Sequence, residues 1–393
     1  MRLVYAALDQ LVPGTKGGSV HVRAVAEGLA ALGHEVHVAV TQGGPWPDRD
    51  DGATGRVHWH AMRPPFGRAA LRWMRAGAVT ALARRVDAQC VIERYYNFGG
   101  EGVIAARRLG LPAVLEVNAP VIDYPGSAKS RLDRALIIEP MRRWRDAVCR
   151  GTDLFITPNP QILPAWVDRA RVLEVEWGAD VDHFRPGATG PLPFTRDPHR
   201  VLCVFAGAFR SWHGVVQLSA SLSRLHAQGE RRLGAVFIGD GPERASAERA
   251  ARDVPGITFT GAIPHARLPQ CLAAADIGVA PFEPGRHKPL ALGFYWSPLK
   301  IFEYMSSGLP VVAPRLPRIA QLVGDNEEGL LYDPADPRTL DAALVRLTEP
   351  ALRARLGSAA RARAVAQYSW RAHCAALDAR LRALVDAPGR RRP

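Results

Sequence analysis

Lys300 and Glu303 stand three residues apart in the stretch Ser297-Pro298-Leu299-Lys300-Ile301-Phe302-Glu303-Tyr304-Met305-Ser306-Ser307-Gly308-Leu309-Pro310. Ser297 suits an N-cap, Pro298 a first helical position, and Gly308 with Pro310 a stop, which predicts one helix of about three turns. A lysine in the first turn opposes the partial positive charge of the helix N-terminus, a local cost that makes sense where an anion binds. Glu303 lies one turn deeper on the same face. A cation for phosphate and a carboxylate for sugar hydroxyls would suit a nucleoside diphosphate. The same two residues also make an ordinary surface ion pair, and the helix alone leaves both readings open.

Other residues of this kind lie where a strand gives way to a loop. Gly17 and Gly18 close a turn between an apolar strand, Leu3 to Leu8, and a helical pattern carried by Val22, Val25, Ala26, Leu29 and Leu32. They would let a phosphate or sugar approach the backbone at a helix N-terminus. Arg94 and Tyr95 follow the strand beginning at Cys90, and strand ends of open α/β sheets are where ligands sit, so both are cleft candidates. Asn118 follows the strand from Pro112 to Val117; it can bond sugar hydroxyls but cannot act as an acid or base, and an Asx turn before Pro120 is an equal reading.

These positions require a scaffold of alternating strands and helices, and the chain supplies it. With 393 residues, 47% of them apolar, it fits two domains of similar size. No stretch has the ~18 uncharged apolar residues of a membrane span, and Leu3 to Leu8 meets Asp9 too soon for a signal peptide. The five cysteines are scattered without metal-ligand spacing, so neither disulfides nor zinc is expected, and a reduced cytoplasmic setting is. The net charge of +13 comes mostly from dispersed arginines. Arg68, Arg72 and Arg75 with Trp73 and Met74, on a predicted helix from Ala69 to Val86, would suit an anionic membrane face, and a solvated helix is the plainer reading. Nucleic acid ranks last. Residues 43–65 read as irregular, Lys129 to Arg150 as a second arginine-rich helix, and Arg390 to Pro393 as a disordered tail.

The string Glu303-Tyr304-Met305-Ser306-Ser307-Gly308-Leu309-Pro310-Val311-Val312 resembles the end of the Glu-x7-Glu motif of retaining family-4 glycosyltransferases (group 1) of the GT-B fold. Tyr295 stands where those proteins usually carry the first glutamate, and the Ser297-Pro298-x-Lys300 entry is similar to a subset of the family. Gly178-x-Asp180-x-x-x-Phe184-x-Pro186 resembles the family's interdomain segment, and Ala275-Asp276-Ile277-Gly278-Val279-Ala280-Pro281-Phe282 a further family string. The resemblance implies an α/β protein of two Rossmann-like, doubly wound domains facing across a cleft. Residues 1–179 would take the acceptor and 180–370 the nucleotide-sugar donor, with 371–393 returning to the first domain.

It also implies roles. Glu303 would bind ribose, Ile263 the base through backbone groups, Gly17 and Gly18 would face the donor, and Ser297 would open the donor helix. In the family's Gly-Arg-x4-Lys-Gly loop this chain has Ala208 and His213, so Arg210 becomes the replacement for the diphosphate, with His213 as a second donor. The implied catalytic set is Asn118, Arg210 and Lys300. The expected reaction is retaining, metal-independent transfer of a sugar from a nucleotide diphosphate sugar, UDP before GDP, to a hydroxyl acceptor in glycan, polysaccharide or glycoconjugate synthesis, without a cofactor. It would proceed in the cytoplasm or at the inner membrane face. An epimerase or hydrolase on the same fold, and an inactive nucleotide-sugar-binding protein, are the rival readings. Acceptor recognition is expected in residues 43–65, 94–98 and 123–134.

Overall fold

A computed structural model describes residues 1–14, 17–45, 56–67, 69–96, 99–122, 139–287 and 293–387. Arg68, the 123–134 acceptor segment, the start of the second arginine-rich helix, part of the loop before Ser297 and the terminal tail lie outside the described residues. The chain divides into two compact units. One comprises Met1–Trp177, Tyr295–Ser297 and Trp370–Pro393, the other Gly178–Phe294 and Pro298–Ser369.

In the first unit seven parallel strands are ordered β3-β2-β1-β4-β5-β6-β7. They are β1 Arg2–Val12, β2 Glu35–Gln42, β3 Val57–Ala61, β4 Cys90–Tyr95, β5 Ala113–Val117, β6 Leu154–Thr157 and β7 Val172–Glu174. Near-continuous apolar runs such as Leu3 to Leu8 are buried on both faces, as helix-covered parallel strands must be. The helix Gly17–Ala31 lays Val22, Val25, Ala26 and Leu29 on the sheet. Leu377 and Leu381 of the helix Trp370–Val385 complete that core.

The second unit repeats the plan with six parallel strands in the order β10-β9-β8-β11-β12-β13. These are β8 Val201–Ala206, β9 Leu233–Ile238, β10 Ile257–Gly261, β11 Ile277–Val279, β12 Val311–Pro314 and β13 Gly329–Tyr332. Phe205, Phe237, Val279 and Val312 meet Leu218 and Leu222 of the helix Val215–Ala227 in its core. In each sheet the strand order reverses once, between β1 and β4 and between β8 and β11. The crevice beyond the carboxyl ends of such a strand pair is where open α/β sheets take ligands.

Three local expectations fail. Residues 57–61 form edge strand β3; the Val57-His58-Trp59-His60-Ala61 alternation is that of a half-exposed strand, but so short a run is masked by the polar, proline-bearing sequence around it. The predicted helix from Ala69 begins as a 3-10 turn, Ala69–Arg75, and becomes α-helical only over Ala76–Arg85. Its Arg72 is fully buried among carboxylates, so it cannot serve an anionic membrane face, although Trp73 and Met74 beside it are exposed.

Candidate functional site

The reversal between β8 and β11 carries an unusual lysine. The helix Leu299–Ser306 turns Ile301, Phe302, Tyr304 and Met305 into the core, and the Tyr304 hydroxyl accepts from the N–H of Ala206 at the end of β8, 2.7 Å away. That anchoring points Lys300 inward. Its Nζ lies 4.1 Å from the Phe205 ring centroid on β8 and 5.2 Å from that of Phe282, just past β11. It is shut off from water without a hydrogen-bond partner among the described residues. Burial pulls its pKa down to about 7, against a smaller upward pull from Glu303. Two ring faces offset part of the cost of burying an ammonium group, and an anion would offset far more.

Around this lysine the backbone is arranged by glycines. Gly207 follows β8 with φ 135°, and a Cβ there would come within 3.3 Å of Lys300 Nζ. Gly214 adopts φ 72° as the cap of the helix Val215–Ala227, where a Cβ would fall 1.7 Å from the Pro281 carbonyl oxygen. Only glycine fits there, which fixes the start of that helix and the direction of its unpaired N–H groups.

Glu303 is one turn from Lys300 and mostly buried, and it accepts from His265 Nε2 at 3.0 Å. That bond raises the His265 pKa, against burial. His265 follows Ile263 by two residues in the turn after β10, where Ile263 is half-buried. Sequence alone misses His265, because its pairing with Glu303 depends on how the turn after β10 packs against the helix Leu299–Ser306, 38 residues on.

Arg210 is exposed, its guanidinium 5.4 Å from the Trp212 ring, and Trp212 stacks on His287 at 4.0 Å. His213 does not become a second donor to an anion. Its Nδ1–H is given to the Ala208 carbonyl, and burial, then Lys300, hold its pKa down to about 3. The ring is therefore neutral with a bare Nε2, an acceptor.

The remaining predicted residues belong to the first unit. Ser297 does not cap the helix: Pro298 is the capping residue, and the Ser297 hydroxyl instead donates to Glu176 Oε2 at 2.6 Å and accepts from Trp177 N–H at 2.9 Å. Gly17 opens the helix beside free space, whereas Gly18 lies against the Gln10 side chain, which a Cβ would overlap. Asn118 accepts from Trp177 Nε1–H at 2.8 Å and donates to Glu116. Glu116 in turn accepts from the Tyr5 hydroxyl at 2.5 Å and lies 2.6 Å from His21 Nε2, out of line for a hydrogen bond. Burial pushes the Glu116 carboxyl up, but His21, Arg94 and Tyr5 together hold it below the usual carboxylate range.

Arg94 and Tyr95 are not open cleft residues. All six residues of β4 are buried, Arg94 pairs with Asp9, and burial raises the Tyr95 pKa. The strand continues further than its sequence suggests, because Asp9 on the neighbouring strand neutralises the arginine that looked like an exit.

Comparison with known proteins bears on both units. Residues 15–174 match the model described as Glycosyltransferase Family 4, and residues 200–349 match Glycosyl transferases group 1. A GDP-mannose-dependent alpha-mannosyltransferase of Mycobacterium tuberculosis (strain CDC 1551 / Oshkosh) is 28% identical over 93% of this chain and 92% of its own. Sulfoquinovosyl transferase SQD2 of Arabidopsis thaliana is 28% identical over 68% of this chain, which spans only 51% of that protein. Among solved structures, Anabaena HepE in complex with UDP and glucose superposes with a TM-score of 0.67 at 16% identity, covering 98% of this chain and 100% of that one. The parallel sheets, the glycine-lined strand ends and the family matches in both units converge: the chain belongs to the family-4, group 1 glycosyltransferases and has their two-domain GT-B fold.

Proposed function

We propose that the second unit binds a nucleoside diphosphate sugar and that the enzyme transfers its sugar to a hydroxyl acceptor with retention at the anomeric carbon, in glycan or glycoconjugate synthesis. The carrying observation is Lys300, a buried ammonium group without a hydrogen-bond partner among the described residues, at the point where the strand order reverses. A diphosphate supplies that partner. Arg210 and the N–H groups that open the helix Val215–Ala227 add positive potential, so the leaving group can be neutralised by the chain's own donors without a bound metal. Glu303, released from His265, is placed to accept from ribose hydroxyls. Retention rests on the family resemblance, with the leaving phosphate taking the acceptor proton; Asn118, an amide, is neither acid nor base.

Support for the base is divided: sequence favours uridine, the mycobacterial relative's name specifies GDP-mannose, and Lys300 is indifferent to the choice. Calorimetric titration with UDP and GDP in parallel decides it. Loss of one charge-assisted contact should weaken the preferred nucleotide roughly 10- to 100-fold in Lys300→Ala, with the circular dichroism spectrum unchanged. Unchanged affinity in that variant removes the site. Mass spectrometry of a nucleotide-sugar panel with and without hydroxyl acceptors then separates transfer from hydrolysis or epimerisation.

A further inference from the structure

We propose that the first unit carries a binding site for a zinc-class divalent cation on strands β2 and β3, made by Glu35, His37 and His58 and oriented by His60. Glu35 and His37 are two residues apart on β2, and His58 and His60 two apart on β3, so each pair projects from one face of its strand. The parallel register sets His37 opposite His58. The result is three imidazoles and a carboxylate in one place, with the ligand atoms of Glu35, His37 and His58 all within 4.8 Å of one another.

The spacing suits a small tetrahedral ion. Zinc–nitrogen and zinc–oxygen bonds of about 2.0–2.1 Å require ligand atoms about 3.3 Å apart along each edge of the tetrahedron. Glu35 Oε1 is 3.2 Å from His37 Nε2 and 3.5 Å from His58 Nε2. His60 Nε2 is 3.2 Å from His37 Nδ1, where it can accept the proton of the tautomer that leaves His37 Nε2 free to ligate. Such an outer partner is the usual means of aiming a histidine at a metal. His37 is buried while Glu35 and His58 are partly open to solvent, so an ion can enter and water can fill a fourth position.

Arg85 is the nearby cation that acts on His37 and His60, and Glu35 is the one carboxylate of the donor set. The donors occupy the beginnings of their strands, away from the carboxyl ends where α/β sheets bind substrates. The ion would thus act as a clamp holding edge strand β3 to β2. Cysteine spacing gives no hint of it, because the motif is a pair of short alternations that only strand register brings together.

The test uses the untagged full chain stripped with chelator and titrated with cobalt(II) chloride, then zinc sulfate. One cobalt per chain should bind with the intense visible bands of a four-coordinate nitrogen and oxygen site, zinc should displace it, and zinc should raise the melting temperature. His58→Gln and Glu35→Gln should each weaken zinc at least about tenfold, and His60→Gln by about 10- to 100-fold while keeping the band shape. Because Glu35 and His58 are partly exposed, the metal-free double variant Glu35→Gln/His58→Gln should melt like metal-free wild type. Absence of saturable binding, a thiolate charge-transfer band, or equal zinc affinity in the double variant overturns the proposal.

Discussion

The two places where strand order reverses hold buried cations in opposite circumstances. Beside β1 and β4, Arg72 lies 3.0 Å from Asp9, 3.4 Å from Glu93 and 3.2 Å from Glu101, and donates to the Arg94 carbonyl at 2.7 Å. Glu93 also accepts from the N–H groups of Gly100, Gly102 and Val103. Burial pushes the Glu101 and Glu93 carboxyls up, against the pull of the Arg72 guanidinium between them. Beside β8 and β11, Lys300 has aromatic faces and, among the described residues, no carboxylate bonded to its ammonium group. A compensated buried charge belongs to the fold, and the uncompensated one is what the proposed diphosphate site rests on.

That contrast predicts stability effects of opposite sign. Arg72→Met strands carboxylates in the interior and should cost the first unit about 3–5 kcal/mol, the usual consequence of breaking a buried pair from one side. Thermal melting checks it, and a variant as stable as wild type would mean that the network is dispensable. Lys300→Met should instead raise stability at neutral pH. The folded pKa of about 7 lies below the ordinary lysine value of 10.5, so the unfolded chain holds this proton more tightly, and the penalty is greatest below the folded value and gone above the unfolded one. Its removal should gain on the order of 2–4 kcal/mol near pH 7, while nucleotide affinity is lost. A destabilised Lys300→Met would show that the lysine has a structural partner.

The same contrast explains what could be read from sequence. Strands such as β1, β8 and β13 announce themselves as apolar runs between turn residues, and the proposed anion-binding role of Lys300 is suggested by its place at a helix start. Arg72 and Arg94 look from sequence like surface and cleft arginines because the acids that neutralise them come from positions 9, 93 and 101. Ser297 looks like a cap because nothing in its neighbourhood reveals that Glu176 and Trp177 claim its hydroxyl. Long-range pairing decides these cases, and composition along the chain carries no record of it.

A smaller effect sharpens the reading of Lys300 as a ligand's cation. A diphosphate binds the ammonium form and raises its pKa, so affinity should be nearly level below the free pKa of about 7 and then fall up to tenfold per pH unit until the pKa of the complex is reached. His213, neutral above about pH 3, adds nothing in that range. His265, raised by its bond to Glu303, is a second titratable group at the site, and His265→Asn isolates its share. Dissociation constants measured from roughly pH 6 to pH 9 should show the decline in wild type and in His265→Asn, and a flat, weak profile in Lys300→Met. A decline of the same slope in Lys300→Met would assign the titration to another group and return Lys300 to the core.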